Sequence, residues 1–386
     1  MHVMHLLPDL AIGGGQQVAL NLVVHRSYAQ VTVLGIGRDA TLAQEFQQAG
    51  ARVHVLALED RGWIRTIWDV LRLSLLTRPE LIHVHVGRDR RIGQLVALVT
   101  RTPVVSHLHG IHDHLPALTD RNFPYRHLGR LLRQSLNRSI ERRAVRRYIA
   151  VSNPIRELHA GRRHAPVDVI LNGIDTIRFS PDARLGIDWR SRHGIARTSL
   201  VVLSVGRLVS GKGHQQLVSA FSEIPGYLIL VGDGPERDKI REAVMDLELS
   251  NRVMILPFTR QLREIYVAAD IFVLASEKEG LPLVVLEAMA SQIPVIALRI
   301  PGIEQIIDDG VNGVLIDDLT QLPNAIASLT AEKGAAIGRA ARQRAQTEFS
   351  ASAMTAHVES IYREVLSEPV NSSRLFRRPL WSSEDS

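Results

Sequence analysis

The 386-residue sequence predicts an α/β protein of two Rossmann-like domains, each a parallel sheet with helices on both faces. Three observations carry that reading. Short β-branched runs alternate with longer segments at helical spacing from the first residue on. A turn-rich stretch without period, "LNGIDTIRFSPDARLG", interrupts the alternation near residue 180. The alternation then restarts at a similar scale. The chain is also long for a single hydrophobic core.

In the first half, "HVMHLL", "QVTVLGI", "RVHVLAL", "LIHVHV", "TPVVSHL", "RYIAVS" and "PVDVIL" read as strands. Between them, "GWIRTIWDVLRLSLLT" and "RIGQLVALVT" repeat apolar residues at helical intervals. In the second half the strands are "SLVVLSV", "GYLILVG", "RVMIL", "DIFVLAS", "IPVIAL" and "GVLI". "SASAMTAHVESIYREVL" reads as a closing helix, and the polar tail after it as loose chain. The expected domains are 1–178 and 179–355, with 356–386 as closing helix and tail.

Composition excludes several classes. Hydrophobic content of 45% and charged content of 22% are those of an ordinary soluble protein. With no cysteine, disulfides, thiolate metal sites and thiol nucleophiles are ruled out. "MHVMHLLPDL" lacks the basic start and apolar length of a signal peptide, and no apolar stretch reaches the ~18 residues of a membrane span. The expectation is a cytoplasmic protein, at most peripheral on the inner face of the cell membrane.

The net charge of +6 is uneven. Residues 1–180 hold 24 Arg, no Lys and 14 acids, and nine of those arginines lie between Arg121 and Arg147 against one acid, Glu141. Leu128, Leu131, Leu132 and Leu136 stand among them at helical spacing, which fits a peripheral helix on an anionic membrane. An arginine-rich surface helix whose leucines face the domain core is the plainer reading. Nucleic acid explains the charge, but 5% aromatic residues are few for base stacking.

The glycine-rich turns are the candidate anion sites. "GRLVSGKG" has the spacing of a phosphate-cradling P-loop, but the hydroxyl that would hold Mg²⁺ is replaced by Gly213. Arg207 and Lys212 nevertheless sit where a strand gives way to a helix, the ligand-binding edge of open α/β sheets. Two cations there can neutralise a diphosphate without metal. Gly13-Gly14-Gly15 offers backbone N–H groups at a second helix start. Neither "GIGRDA" nor "VGDGPE" completes the dinucleotide fingerprint, which sets a dehydrogenase aside.

In "SHLHGIHDH", a binuclear metallohydrolase motif would need Asp where Ile111 stands, so no metal is expected. A single histidine at the strand's end is favoured, and "HVHV" at 83–86 reads as half-buried strand. In "SEKEGLPLVVLEAMA", Glu279 precedes the Gly280-Leu281-Pro282 turn, with Pro282 suited to the first helical position. Free N–H groups follow at Leu283 and Val284. Glu287 then falls on an otherwise apolar helix face, where it is placed to grip a diol.

With these pieces assembled, residues 1–365 resemble the retaining nucleotide-sugar glycosyltransferases of the GT-B fold, family 4. The carriers are Gly13-Gly14-Gly15, His109-Gly110, the hinge "NGIDTIRFSP", "SVGRLVSGKG", "LVGDGPE" and the pair Glu279 and Glu287 with seven residues between them. The resemblance implies two Rossmann-like domains with parallel sheets facing across a cleft. It also implies a UDP- or GDP-type sugar donor and no cofactor or metal. Arg207 and Lys212 would take the diphosphate, Glu279 the sugar hydroxyls and Glu287 the ribose. Gly280, Leu281 and the amides of Leu283 and Val284 would line the donor. Gly14 and Gly15 would close on the diphosphate, and His109 would face the sugar. The implied acceptor is a lipid-linked or polysaccharide-type glycan. Gln16-Gln17 departs from an acid and a base common in relatives, at positions that bear on the acceptor. A soluble small-molecule acceptor and a nucleotide-sugar epimerase of the same fold are the alternatives.

Overall fold

Every predicted β-run forms a strand, because each carries the apolar, β-branched content that a sheet covered on both faces requires. The structure, a computed structural model, describes residues 1–85, 90–110, 139–159, 161, 163–259 and 261–368. The chain divides into two compact units.

Unit one comprises Met1–Ala150, Arg156–Ile170 and the segment from Ala356. Its strands are β1 (His2–Leu7), β2 (Gln30–Gly35), β3 (Arg52–Val55), β4 (Leu81–His85), β5 (Val104–Leu108), β6 (Val145–Ala150) and β7 (Val167–Val169). They pair in parallel in the order β3-β2-β1-β4-β5-β6-β7, so the chain starts mid-sheet and winds outward both ways. Alternation along β1 divides its two faces. Met4 meets Ser74 of the Trp63–Thr77 helix on one side, and His5 meets His85 on the other.

Unit two comprises Val151–Ile155 and Leu171–Thr355. Its strands are β8 (Val201–Val205), β9 (Tyr227–Val231), β10 (Val253–Leu256), β11 (Ile271–Leu274), β12 (Val295–Leu298) and β13 (Val314–Ile316), in the order β10-β9-β8-β11-β12-β13. Leu217, Val218 and Phe221 of one helix pack with Leu228, Leu230 and Ile240 in its core. Asp182 caps the Ala183–Arg192 helix by accepting the Leu185 N–H at 3.1 Å. Arg190 of that helix is buried with its charge satisfied, by Asp270 at 2.8 Å and by the carbonyls of Ala268, Arg197 and Ser199.

The division differs from the one expected at residue 178. It falls at 170, residues 151–155 join unit two, and residues from 356 on return to unit one rather than standing apart. The cause is the apolar stripe Val358, Ile361, Tyr362 and Val365 on the Ala351–Ser367 helix, which is buried. Polar contacts lock it to unit one: the Ser27 N–H donates to Glu359 at 2.6 Å, Arg147 pairs with Glu364 at 2.9 Å, and Tyr362 bonds His83.

Candidate functional site

In unit two the candidate residues sit at the carboxyl ends of β8 and β11. The loop after β8 carries Arg207, whose side chain is exposed, and then Lys212. Lys212 Nζ lies 2.5 Å from Glu279 Oε1, with both side chains mostly buried. The two residues assigned separately to phosphate and sugar are therefore ion-paired with each other. The backbone holds them in register, since the Glu277 N–H donates to the Gly211 carbonyl at 3.0 Å.

Gly213 answers the P-loop question. Its φ is +70°, a left-handed conformation, and a Cβ there would lie 2.2 Å from the Ala275 carbonyl oxygen. The hydroxyl residue of a P-loop cannot occupy this position. His214 follows at the start of the His214–Phe221 helix, a residue that sequence reasoning passed over. Burial and the Lys212 charge push its pKa down to about 4.

The turn after β11 is fixed from behind, where the buried Asn172 side-chain N–H donates to the Leu281 carbonyl at 2.8 Å. Pro282 is the cap and not the first helical residue: the helix runs Leu283–Ala290, and Pro282 has extended geometry, with ψ 122°. Leu283 and Val284 are thus the first two helical positions, whose N–H groups have no partner within the helix. Glu287 is buried on this apolar helix and accepts the Tyr266 hydroxyl at 2.7 Å. Burial raises its pKa, opposed by the Tyr266 bond and the Arg178 charge.

Unit one contributes the glycine loop and a row of histidines. The Gly14–Val24 helix begins after Gly13, and Gln16 donates to Asp9 at 2.7 Å, so this glutamine braces the loop entrance. A Cβ on Gly15 would lie 3.3 Å from His109 Cδ2, whereas one on Gly14 meets nothing within 4 Å. Gly15 is thus the seat of the His109 ring.

The strand order β1-β4-β5 brings His5, His83, His85, His107 and His109 onto one face, with His5 beside His83 and His85 beside His107. His83 and His85 are fully buried, correcting the half-buried expectation. Neighbouring rings stack, with centroids 4.2 Å apart for His83–His85 and for His107–His109. Burial pushes the pKa of His5 down to about 3 and of His109 to about 4, and lowers His83, His85 and His107 well below the usual value. Two triads, His5-His83-His85 and His85-His107-His109, each bring three ring nitrogens within 4.8 Å of one another. Each triad also contains an N···N hydrogen bond, of 3.0 and 3.1 Å, which needs a proton where a metal needs two converging lone pairs.

These lowered values set the acid stability. A depressed folded-state pKa contributes stability above the ordinary histidine value that is lost as pH falls through the folded one. Unit one is expected to lose several kcal/mol, on the order of 2–5, between pH 6.5 and pH 4. Melting temperature measured against pH checks this, and a flat profile over that window would contradict it.

Of the Arg121–Arg147 segment, residues 121–138 lie outside the described residues, as do His112, Asp113 and His114. In its described part, residues 139–144 are helical, with Arg142 and Arg143 exposed. Arg147 stands in β6 and pairs with Asp168 at 3.2 Å as well as with Glu364.

Comparison with known proteins gives concordant findings. The family model described as Glycosyltransferase Family 4 matches residues 12–178, and that described as Glycosyl transferases group 1 matches residues 187–345. Alpha-maltose-1-phosphate synthase of Mycobacterium tuberculosis is 30% identical over 326 residues, 77% of this chain and 82% of that protein. The UDP-Gal:alpha-D-GlcNAc-diphosphoundecaprenol alpha-1,3-galactosyltransferase of Escherichia coli is 24% identical over 284 residues, 70% of this chain and 71% of that protein. Two further curated relatives are matched over only 50% and 40% of their length. Anabaena Alr3699/HepE, solved with UDP and glucose, superposes with a TM-score of 0.81 at 23% identity, covering 94% of this chain and all of that one.

Proposed function

Because the chain belongs to the family 4 glycosyltransferases, with the GT-B fold, we propose that it moves a sugar from a nucleotide-diphosphate donor to an acceptor hydroxyl. The donor is of UDP or GDP type, and the anomeric configuration is retained without a metal ion. The observation that carries this reading is that Glu279, paired with Lys212, leads into the turn before the Leu283–Ala290 helix, and that this helix carries the buried Glu287 bonded to Tyr266.

Breaking the anomeric C–O bond puts negative charge on the departing diphosphate. Lys212 and Arg207, with the Leu283 and Val284 amides and the Gly280-Leu281 turn, stabilise that charge where it develops. Glu279 accepts hydrogen bonds from sugar hydroxyls and Glu287 from the ribose. For unit one, the resemblance implies that His109 faces the sugar and that Gly14 and Gly15 bear on the diphosphate. The acceptor oxygen bonds to the anomeric carbon on the face the diphosphate leaves, and its proton passes to a donor phosphate oxygen. No covalent sugar–enzyme intermediate forms.

Thermal shift with UDP, GDP, ADP and dTDP, each with Mg²⁺ and with EDTA, tests this. A ligand at a hundred times its Kd adds about 2.7 kcal/mol. One nucleotide is expected to raise Tm in EDTA, and Arg207→Ala with Lys212→Ala to abolish the rise. A shift that requires Mg²⁺, or none at all, would overturn the metal-free clamp.

For the acceptor, the reading is a lipid-linked or polysaccharide-type glycan, reached from the inner face of the cell membrane. Support comes from the Trp63–Thr77 helix, which leaves Ile64 78%, Trp68 65% and Leu76 69% exposed, with Arg65 and Arg72 between them. Apolar anchors interleaved with arginine suit an anionic bilayer surface. No described helix is long and apolar enough to cross a membrane. The protein is expected to float with anionic but not neutral liposomes at low salt, and Ile64→Ser with Trp68→Ser to stay at the bottom. Equal flotation of the double variant would remove this support and favour the soluble-acceptor alternative.

A further inference from the structure

Three hydrogen bonds run in a line through the histidine face of unit one. Tyr28 Oη lies 3.1 Å from His5 Nε2, His5 Nδ1 lies 3.0 Å from His85 Nε2, and His85 Nδ1 lies 3.1 Å from His109 Nε2. At the far end, His109 Nδ1 is buried and has no partner among the described residues. We propose that this row is a one-way hydrogen-bond wire that fixes His109 as the Nδ1–H tautomer, so that it meets its ligand as a hydrogen-bond donor and not as a base. That the ligand atom is an oxygen of the sugar donor rests on the function proposed above; the wire itself does not.

A neutral imidazole has one N–H and one lone pair. Every ring in the row is joined to its neighbour through opposite nitrogens, Nδ1 to Nε2. Once one link is oriented, the rest must follow, and His5, His85 and His109 share a single tautomer. Protonating any ring would break the sequence, and burial, which lowers the pKa of all three, keeps them neutral.

The ends decide the direction. If Tyr28 donates, its hydroxyl proton is satisfied by His5, every link is made, and one buried N–H remains, at His109 Nδ1. In the reverse sense the Tyr28 proton loses His5 as acceptor, and His109 Nδ1 becomes a bare lone pair. The forward sense leaves one group unsatisfied and the reverse leaves two, each a desolvated polar atom. The forward sense also places its one unspent donor on the residue assigned to the ligand. Tyr28, His5 and His85 are thus positioning residues, and Tyr28, 23 residues from His5 in sequence, sets the polarity of the row.

Long-range ¹H–¹⁵N correlation spectra of ¹⁵N-histidine protein at pH 7 read the tautomers directly. His5, His85 and His109 are expected to carry the proton on Nδ1, and any one of them found as Nε2–H overturns the wire. Tyr28→Phe, which preserves ring volume, is expected to give mixed tautomers at all three rings. A His109 that stays wholly Nδ1–H in that variant overturns the role of Tyr28.

Kinetics supply the second arm. His85→Asn keeps an N–H near the Nδ1 position and is expected to hold kcat within about threefold. His85→Leu is expected to lose about tenfold in kcat with donor KM little changed, the scale of one hydrogen bond in the transition state. A folded His85→Leu protein with full kcat overturns the proposal. Correct tautomers in a protein with no transferase activity toward any donor would instead overturn the proposed function and leave the wire standing.

Discussion

Lys212→Ala is expected to lower kcat for sugar transfer by about 10²–10³, or ~2.7–4 kcal/mol of transition-state stabilisation, with a smaller change in donor KM. The asymmetry follows from the ground state. Glu279 already holds Lys212 at 2.5 Å, so the cation is in place before the donor arrives and need not be recruited. Its full effect comes when the diphosphate gains charge on departure. Steady-state kinetics with the nucleotide-sugar found by thermal shift check the split, with Tm recorded alongside, because Glu279 is left buried and unpaired. An unchanged kcat in a folded Lys212→Ala protein would remove the leaving-group role from this residue.

Gly213→Ser is expected to destabilise unit two by about 2–5 kcal/mol, although it completes the P-loop pattern in the sequence. The left-handed φ of +70° costs any side chain, and the Ala275 carbonyl oxygen stands 2.2 Å from where Cβ would go. The clash is with backbone and cannot be relieved by a rotamer change. Denaturant unfolding measures the loss. A variant of unchanged midpoint, or one that gains Mg²⁺-dependent nucleotide binding, would show that the loop is the P-loop its spacing suggests.

Those two residues mark how far the sequence could be read. The strands were legible because runs such as "VVLSV" and "IFVL" fit only a sheet covered on both faces. The glycine turns were legible for the same local reason. What pairs across long separations was not. Lys212 and Glu279 are 67 residues apart, and nothing in either segment announces that the phosphate candidate and the sugar candidate touch. The histidine row is hidden in the same way, since β1, β4 and β5 become neighbours only through the doubly wound order. "HVHV" alternates just as a half-exposed strand does, yet His83 and His85 are buried, and His83 bonds Tyr362, 279 residues away. The domain boundary failed likewise: the stripe on the Ala351–Ser367 helix says that it packs, but not on which unit.

That helix has a consequence for how the protein is made. Glu359, Tyr362 and Glu364 complete unit one, yet they leave the ribosome after the whole of unit two. At about 5–20 residues per second, the roughly 200 residues in between impose a wait of about 10–40 s. Throughout that interval the nascent β1–β4–β5 sheet lacks the helix that covers its histidine face. The half of the protein translated first is therefore the half finished last.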